Sequence, residues 1–149
     1  MAPAPVLALA GSHPLLGPLV GLASWTFVME AWMYAYRIPA LSKYQIDTSP
    51  NMTTASMNEK IPRPLQFPAD NYNHLMEQPT VFYAVALALD RLGVQDDVTV
   101  GLAWTYLGLR VVHSLVQALR NPIMIRFQIF LCSSATLLGL TVQAARALM

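Results

Sequence analysis

The sequence predicts an all-α integral membrane protein, a four-helix bundle with four transmembrane helices, and three observations carry that expectation. Hydrophobic residues make up 55% of the 149-residue chain and charged residues only 11%, a composition suited to lipid rather than water. The apolar residues fall in blocks about as long as a bilayer crossing, and four such blocks leave little chain for a second domain. Within the blocks ionisable residues are few, whereas basic residues gather near their ends. Residues 1–149 are therefore read as one domain. A net charge of only +1 lacks a basic footprint, so no nucleic acid partner is expected, and no metal site is expected either. The lone cysteine, Cys132, excludes an intrachain disulfide and is expected as a small buried residue of the last block.

Met1 to His13, rich in Ala and Pro and free of Lys and Arg, lacks the charged start of a secretory signal and is expected as an exposed lead-in. Residues 14–36 form the first expected span. It is apolar except for Glu30, carries Trp25, Trp32, Tyr34 and Tyr36, and meets Arg37 at its exit, as an interface would select. Glu30 is costly against hydrocarbon and is expected to face another helix. Residues 37–68 turn polar from Lys43 onward and carry Pro50, Pro62, Pro64 and Pro68 without a sustained period. They are read as a long loop, either a disordered link or a cover over a site. The second span, about 69–92, contains Pro79, which removes the bond to the Leu75 carbonyl and predicts a kink just past Glu77. Gly93 stands where a helix stop belongs, and Asp96 and Asp97 suit the start of a third span, about 98–120. Asn121-Pro122 breaks the chain before a fourth span at 123–147, and so short a turn makes the last two spans an antiparallel hairpin. Gly101, Gly108 and Gly139 are candidates for close helix approach.

Charge orients these spans. With 37–68 in the cytoplasm, that side holds Arg37, Lys43, Lys60, Arg63, Arg120 and Arg126, while the other holds only Arg91 and Arg146. Both termini then face away from the cytoplasm. Glu77 lies nine residues beyond Pro68 and Arg110 ten before Arg120. At the helical rise each sits roughly 14 Å from the cytoplasmic end. His74 and His113 share a shallower depth, and Asp70 pairs in height with Gln117. Positions 70, 73, 74 and 77 trace one helical face and 110, 113, 117 and 120 another, so two polar stripes confront each other or a shared cavity. A central arginine costs roughly 2.5–3.5 kcal/mol on insertion scales. Two arrangements would offset it: an Arg110–Glu77 ion pair locking helix to helix, or a pocket open to the cytoplasm where Arg110, Arg120 and Arg126 attract an anionic ligand. Two histidines facing each other across helices also admit a haem anchor.

The runs His74-Leu-Met-Glu-Gln-Pro79, Phe82-Tyr83, Arg110-Val-Val-His113 and Asn121-Pro-Ile-Met-Ile-Arg-Phe127, in that order, resemble the membrane-associated proteins in eicosanoid and glutathione metabolism, the MAPEG family, and within it the small bacterial branch. The four-span layout extends the resemblance over roughly 15–148, while motif similarity is confined to about 66–130. The resemblance implies a homotrimer in a bacterial inner membrane that binds glutathione as cosubstrate between neighbouring subunits near the cytoplasmic face. Glu77, Arg110 and His113 match its glutathione-contacting positions, with His74 and Asn73 beside them. Arg126 matches the arginine that stabilises the glutathione thiolate, and Arg120 competes for that role. Where the eicosanoid enzymes of the family carry arginine, asparagine and tyrosine, this chain has Asp70, His74 and Gln117. Two functions follow as expectations. One is a glutathione-dependent transferase or peroxidase acting on a lipophilic small molecule; the other is a non-catalytic subunit packed within a larger membrane complex.

Overall fold

The computed structural model describes residues 13–149, so all but the last residue of the expected lead-in lies outside the described residues. The described residues form six helices and no strand: α1 (Leu16–Lys43), α2 (Thr54–Lys60), α3 (Arg63–Leu75), α4 (Pro79–Arg91), α5 (Asp97–Leu119) and α6 (Ile123–Arg146). The all-α expectation is met. α1 continues through Pro39 to Lys43, about two turns past Tyr36. The stretch read as a loop holds α2 and the first turns of α3. Its prolines misled because Pro62 is the N-cap of α3 and Pro64 falls in its first turn, where no intrahelical N–H is needed. Only Pro68 lies inside that helix. α2 begins at a reciprocal cap between Thr53 and Ser56.

Contacts between helices set their directions. Gly17 and Gly21 of α1 meet Trp104 and Leu107 of α5, in step, so these two run parallel. His13 bonds Asp90 near the far end of α4, while Met29 packs with Leu75 of α3, so α3 and α4 run opposite to α1. Gly139 of α6 faces Leu102 of α5, and His113 lies against Phe130, which makes α5 and α6 an antiparallel hairpin. The turn between them is set by Asn121, held at a positive φ of 54°, and by Pro122 as N-cap. Gly93 ends α4 at φ 71°, a conformation that glycine alone adopts at little cost.

Three apolar clusters hold the helices together. The largest joins Leu15, Leu22, Phe82, Ala86, Leu89, Ala103, Tyr106, Leu137 and Leu140, with the Phe82 and Tyr106 rings stacked 4.5 Å apart. A smaller one, Met29, Leu75 and Ala118, lies beneath the polar site described below, and Ala40, Ile46 and Ile61 anchor the connection around α2. The surface is inverted relative to a water-soluble protein. Phe27 and Ile123 are 70% and 75% exposed while Arg110 is wholly buried. Among the described residues one helix, α6, is long and apolar enough by length and composition to cross a membrane. Cys132 lies on the exposed face of α6, not in the core as expected, because the inward positions of that helix are Ser133, Leu137 and Leu140.

The glycines that allow close approach are also not those expected. A Cβ on Gly101 or Gly108 would meet nothing, and one on Gly139 only an ordinary contact with Leu102. Instead Gly17 and Gly21, four residues apart, form the seam against α5, where a Cβ on Gly21 would lie 2.9 Å from Leu107 Cδ2. That atom is the end of a flexible side chain, so Gly21→Ala is expected to change little. Gly21→Leu is expected to lower stability by roughly 1–3 kcal/mol through overpacking, read by unfolding in detergent.

Asp96 caps α5, accepting from the backbone N–H groups of Val98 and Thr99 and from the Thr99 hydroxyl. Those bonds, the Thr99 hydroxyl foremost and then its N–H, hold the carboxyl below its ordinary value of 3.8. A carboxyl depressed in the folded state contributes stability that is complete above its unfolded value and fades as pH falls through its folded one. Thermal unfolding followed downward from pH 5 should therefore show wild-type stability falling below pH 3.8. Asp96→Asn should lack this part of the fall.

Candidate polar ligand site

The site begins with Pro79. Its ring lacks an N–H and collides with the carbonyl four residues back, so α3 stops at Leu75 and α4 restarts at Pro79. The expected kink is a complete break over Met76 to Gln78, bridged by tight turns from Met76 N–H to Asn73 and from Glu77 N–H to His74. Ending α3 inside the protein leaves carbonyls at the negative end of its dipole, and Arg110 of α5 fills that position, donating from Nη2 to the His74 carbonyl at 3.3 Å. Gln78 fastens the break to two other helices. Its Nε2 donates to Ser134 at 2.7 Å, and its Oε1 accepts, at longer range, from Ser133 and Tyr106.

Around this joint the two histidines meet as their common depth implied, with ring centroids 5.0 Å apart. Phe130 of α6 closes the group, 5.4 Å from His74 and 6.3 Å from His113, with the Arg110 guanidinium 6.0 Å from its centre. The imidazoles pack directly on each other with no gap between them, an arrangement that gives the haem-anchor reading no support. His74, His113, Phe127, Phe130, Ile123 and Arg126 line a cleft of about 220 Å³. Arg126 reaches it from the first turn of α6, held by the side chain of Asn121.

The Arg110–Glu77 ion pair does not form. The break turns Glu77 outward, its side chain 69% exposed, and its carboxylate bonds His74 Nδ1 at 2.9 Å. Arg110 Nε and Nη1 consequently find no hydrogen-bond partner among the described residues, nor does Arg126 Nε. Buried donors of this kind are rarely left idle. Of the remaining candidates, Asn73 is exposed and borders a separate small cavity with Arg37, Asn58 and Asp70. Arg120 is exposed on a different groove, beyond the first turn of α6. Asp70 lies 2.9 Å from Arg63 Nη2, a charge contact without hydrogen-bond alignment.

On α5 the expected stripe holds, since Arg110, His113 and Gln117 are all buried, but Arg120 is not. On α3 the stripe is displaced. The inward positions are Pro68, Asn71 and Leu75, while 70, 73 and 77 turn aside. Asn71, wholly buried with both amide atoms unpartnered among the described residues, is an inward polar residue that the sequence reading missed, as are Ser114, Gln78 at the break and Phe130 in the cleft. The signal for Asn71 was available in its spacing of four from Leu75 and three from His74 on the side that packs against α1.

An all-helical protein with apolar outer faces and a polar centre walled off inside is an integral membrane protein that keeps its chemistry away from lipid. Residues 15–146 match the MAPEG family model, nearly the whole of the chain, and the protein belongs to the MAPEG family. Neither a curated protein nor a solved structure matches it.

Proposed function

We propose that this protein crosses a bacterial inner membrane four times, through α1, the α3–α4 pair, α5 and α6, and assembles as a homotrimer with both termini away from the cytoplasm. At its cytoplasmic end it binds glutathione and uses it to conjugate or reduce lipophilic electrophiles. The observation that carries this reading is the buried Arg110 guanidinium with two nitrogens unspent beside the histidine cleft. A charge held without a carboxylate in so apolar a setting calls for an anion, and glutathione offers two carboxylates and a thiolate. Arg126, in the lining of the same cleft, is the group suited to hold the thiolate, and Glu77, turned outward but bonded to His74 of the cleft, is the carboxylate that would receive the ligand's ammonium. The negative charge of Asp70, which would repel such a ligand, is directed to Arg63.

The chemistry needs little else. An arginine beside the thiol favours its ionised form, and the thiolate is the nucleophile. It can form a carbon–sulfur bond as a leaving group departs with the electron pair. It can instead attack a hydroperoxide, releasing an alcohol, after which a second glutathione yields disulfide and water. Large apolar side chains on the outer faces, Phe127 among them beside the cleft, fit a cosubstrate that arrives through the bilayer.

Titration calorimetry of the purified protein with glutathione tests the reading. Saturable micromolar to low-millimolar binding is the expected result. A folded protein that gives no heat would overturn it and turn attention to the non-catalytic alternative.

A further inference from the structure

The end of α5 and the beginning of α6 form a second concavity of about 380 Å³, lined by Leu115, Val116, Leu119, Pro122, Ile125 and Arg120. It shares no residue with the histidine cleft, and Ile123 and Arg126 of α6 stand on the cleft side. Apart from Arg120 the lining is aliphatic, and it is open: Leu119 is 62% and Ile125 51% exposed. The turn at Asn121 and Pro122 ends the helix that is long and apolar enough to cross a membrane, so this groove lies where hydrocarbon gives way to headgroups. From Arg120 to Leu115 it runs about 7.5 Å along the helix, from the polar boundary into the apolar layer.

We propose that this groove is a binding site for an anionic phospholipid, its phosphate on Arg120 and the upper part of one acyl chain along Leu115, Val116, Leu119 and Ile125. The site matches that occupant in both halves. A single cation at the mouth, exposed and without an acidic partner among the described ion pairs, suits a phosphate, and the uncharged wall behind it suits a chain. A zwitterionic lipid would bring its own cation to the same mouth and gain less. The inference requires only the membrane location that family membership supplies, and stands whether or not glutathione binds.

Native mass spectrometry of the purified protein, equilibrated with equal phosphatidylglycerol and phosphatidylcholine of the same chain length, tests it. The wild type is expected to retain phosphatidylglycerol with a roughly fivefold preference, the scale of one basic residue at a membrane surface. Arg120→Gln should abolish the preference, and Arg63→Gln, a basic change outside the groove, should keep it. Leu119→Trp, which fills the groove and spares the charge, should reduce retention of lipid altogether. An undiminished preference in Arg120→Gln would overturn the site. So would spontaneous disulfide linkage between copies through Leu119→Cys in a Cys132→Ser background, which would show a second copy seated on the groove.

Discussion

Arg110→Met is expected to leave the ligand-free protein as stable as the wild type, or to raise its stability by as much as roughly 3 kcal/mol, while weakening glutathione binding roughly ten- to a hundredfold. The first half follows from what surrounds the guanidinium. It is wholly buried, holds one 3.3 Å bond to a carbonyl, leaves Nε and Nη1 unpartnered among the described residues, and has no carboxylate against it. Methionine of similar reach restores packing without the burial penalty, and such exchanges are commonly neutral or stabilising by about 1–4 kcal/mol. The second half follows from the loss of charge-assisted hydrogen bonds, each about 1.5–3 kcal/mol. An Arg110 locked to Glu77 would behave in the opposite way, since stranding one member of a buried pair costs about 3–5 kcal/mol. Unfolding in detergent without ligand, beside calorimetry with it, separates the two. Clear destabilisation by Arg110→Met would defeat the view that this arginine is held for a ligand.

Arg126→Met is expected to spare most of the affinity and to lose most of the rate. Its side chain borders the cleft, tethered by Asn121 and with Nε free of partners among the described residues. A cation within about 4–6 Å of an acidic group lowers its pKa by roughly 1–3 units. Removing it therefore returns the glutathione thiol toward the ordinary thiol value near 8.5. At pH 7 the thiolate fraction, and with it the conjugation rate, should fall roughly 8- to 30-fold. Because the defect is one of ionisation, raising the pH should recover most of the rate as the thiol ionises unaided. A pH–rate profile of the variant is the readout. If its midpoint coincides with that of the wild type, Arg126 does not hold the thiolate.

Both variants act at positions whose residue types were legible in the chain and whose partners were not. Helical rise alone put Arg110 level with Glu77 and His74 level with His113 at a shallower depth, and His74 and His113 do meet. The same reasoning paired Arg110 with Glu77, because helical rise fixes height but not azimuth. Pro79 does more than bend the chain. It ends α3, turns Glu77 toward solvent and presents a helix terminus to Arg110. The choice between Arg126 and Arg120 was likewise open in sequence, since both lie within six residues around a turn; the direction of α6 puts one in the cleft and the other on a separate groove.

The sequence by itself determined the solvent, the all-α class, a bend at Pro79, the stops at Gly93 and Asn121-Pro122, and the family. These depend on composition, local backbone chemistry and residue order, which neighbours in the chain suffice to specify. The G-x-x-x-G pair Gly17 and Gly21 stood in the sequence unread, and so did the spacing of Asn71; tertiary structure alone decided that Asn73 turns aside, that Cys132 is exposed, and that Arg110 faces a carbonyl instead of a carboxylate. Each of these depends on the rotation of one helix against another. That rotation is settled by packing among side chains far apart in the chain, such as Phe82 on Tyr106 and Met29 on Leu75, and no local pattern encodes it.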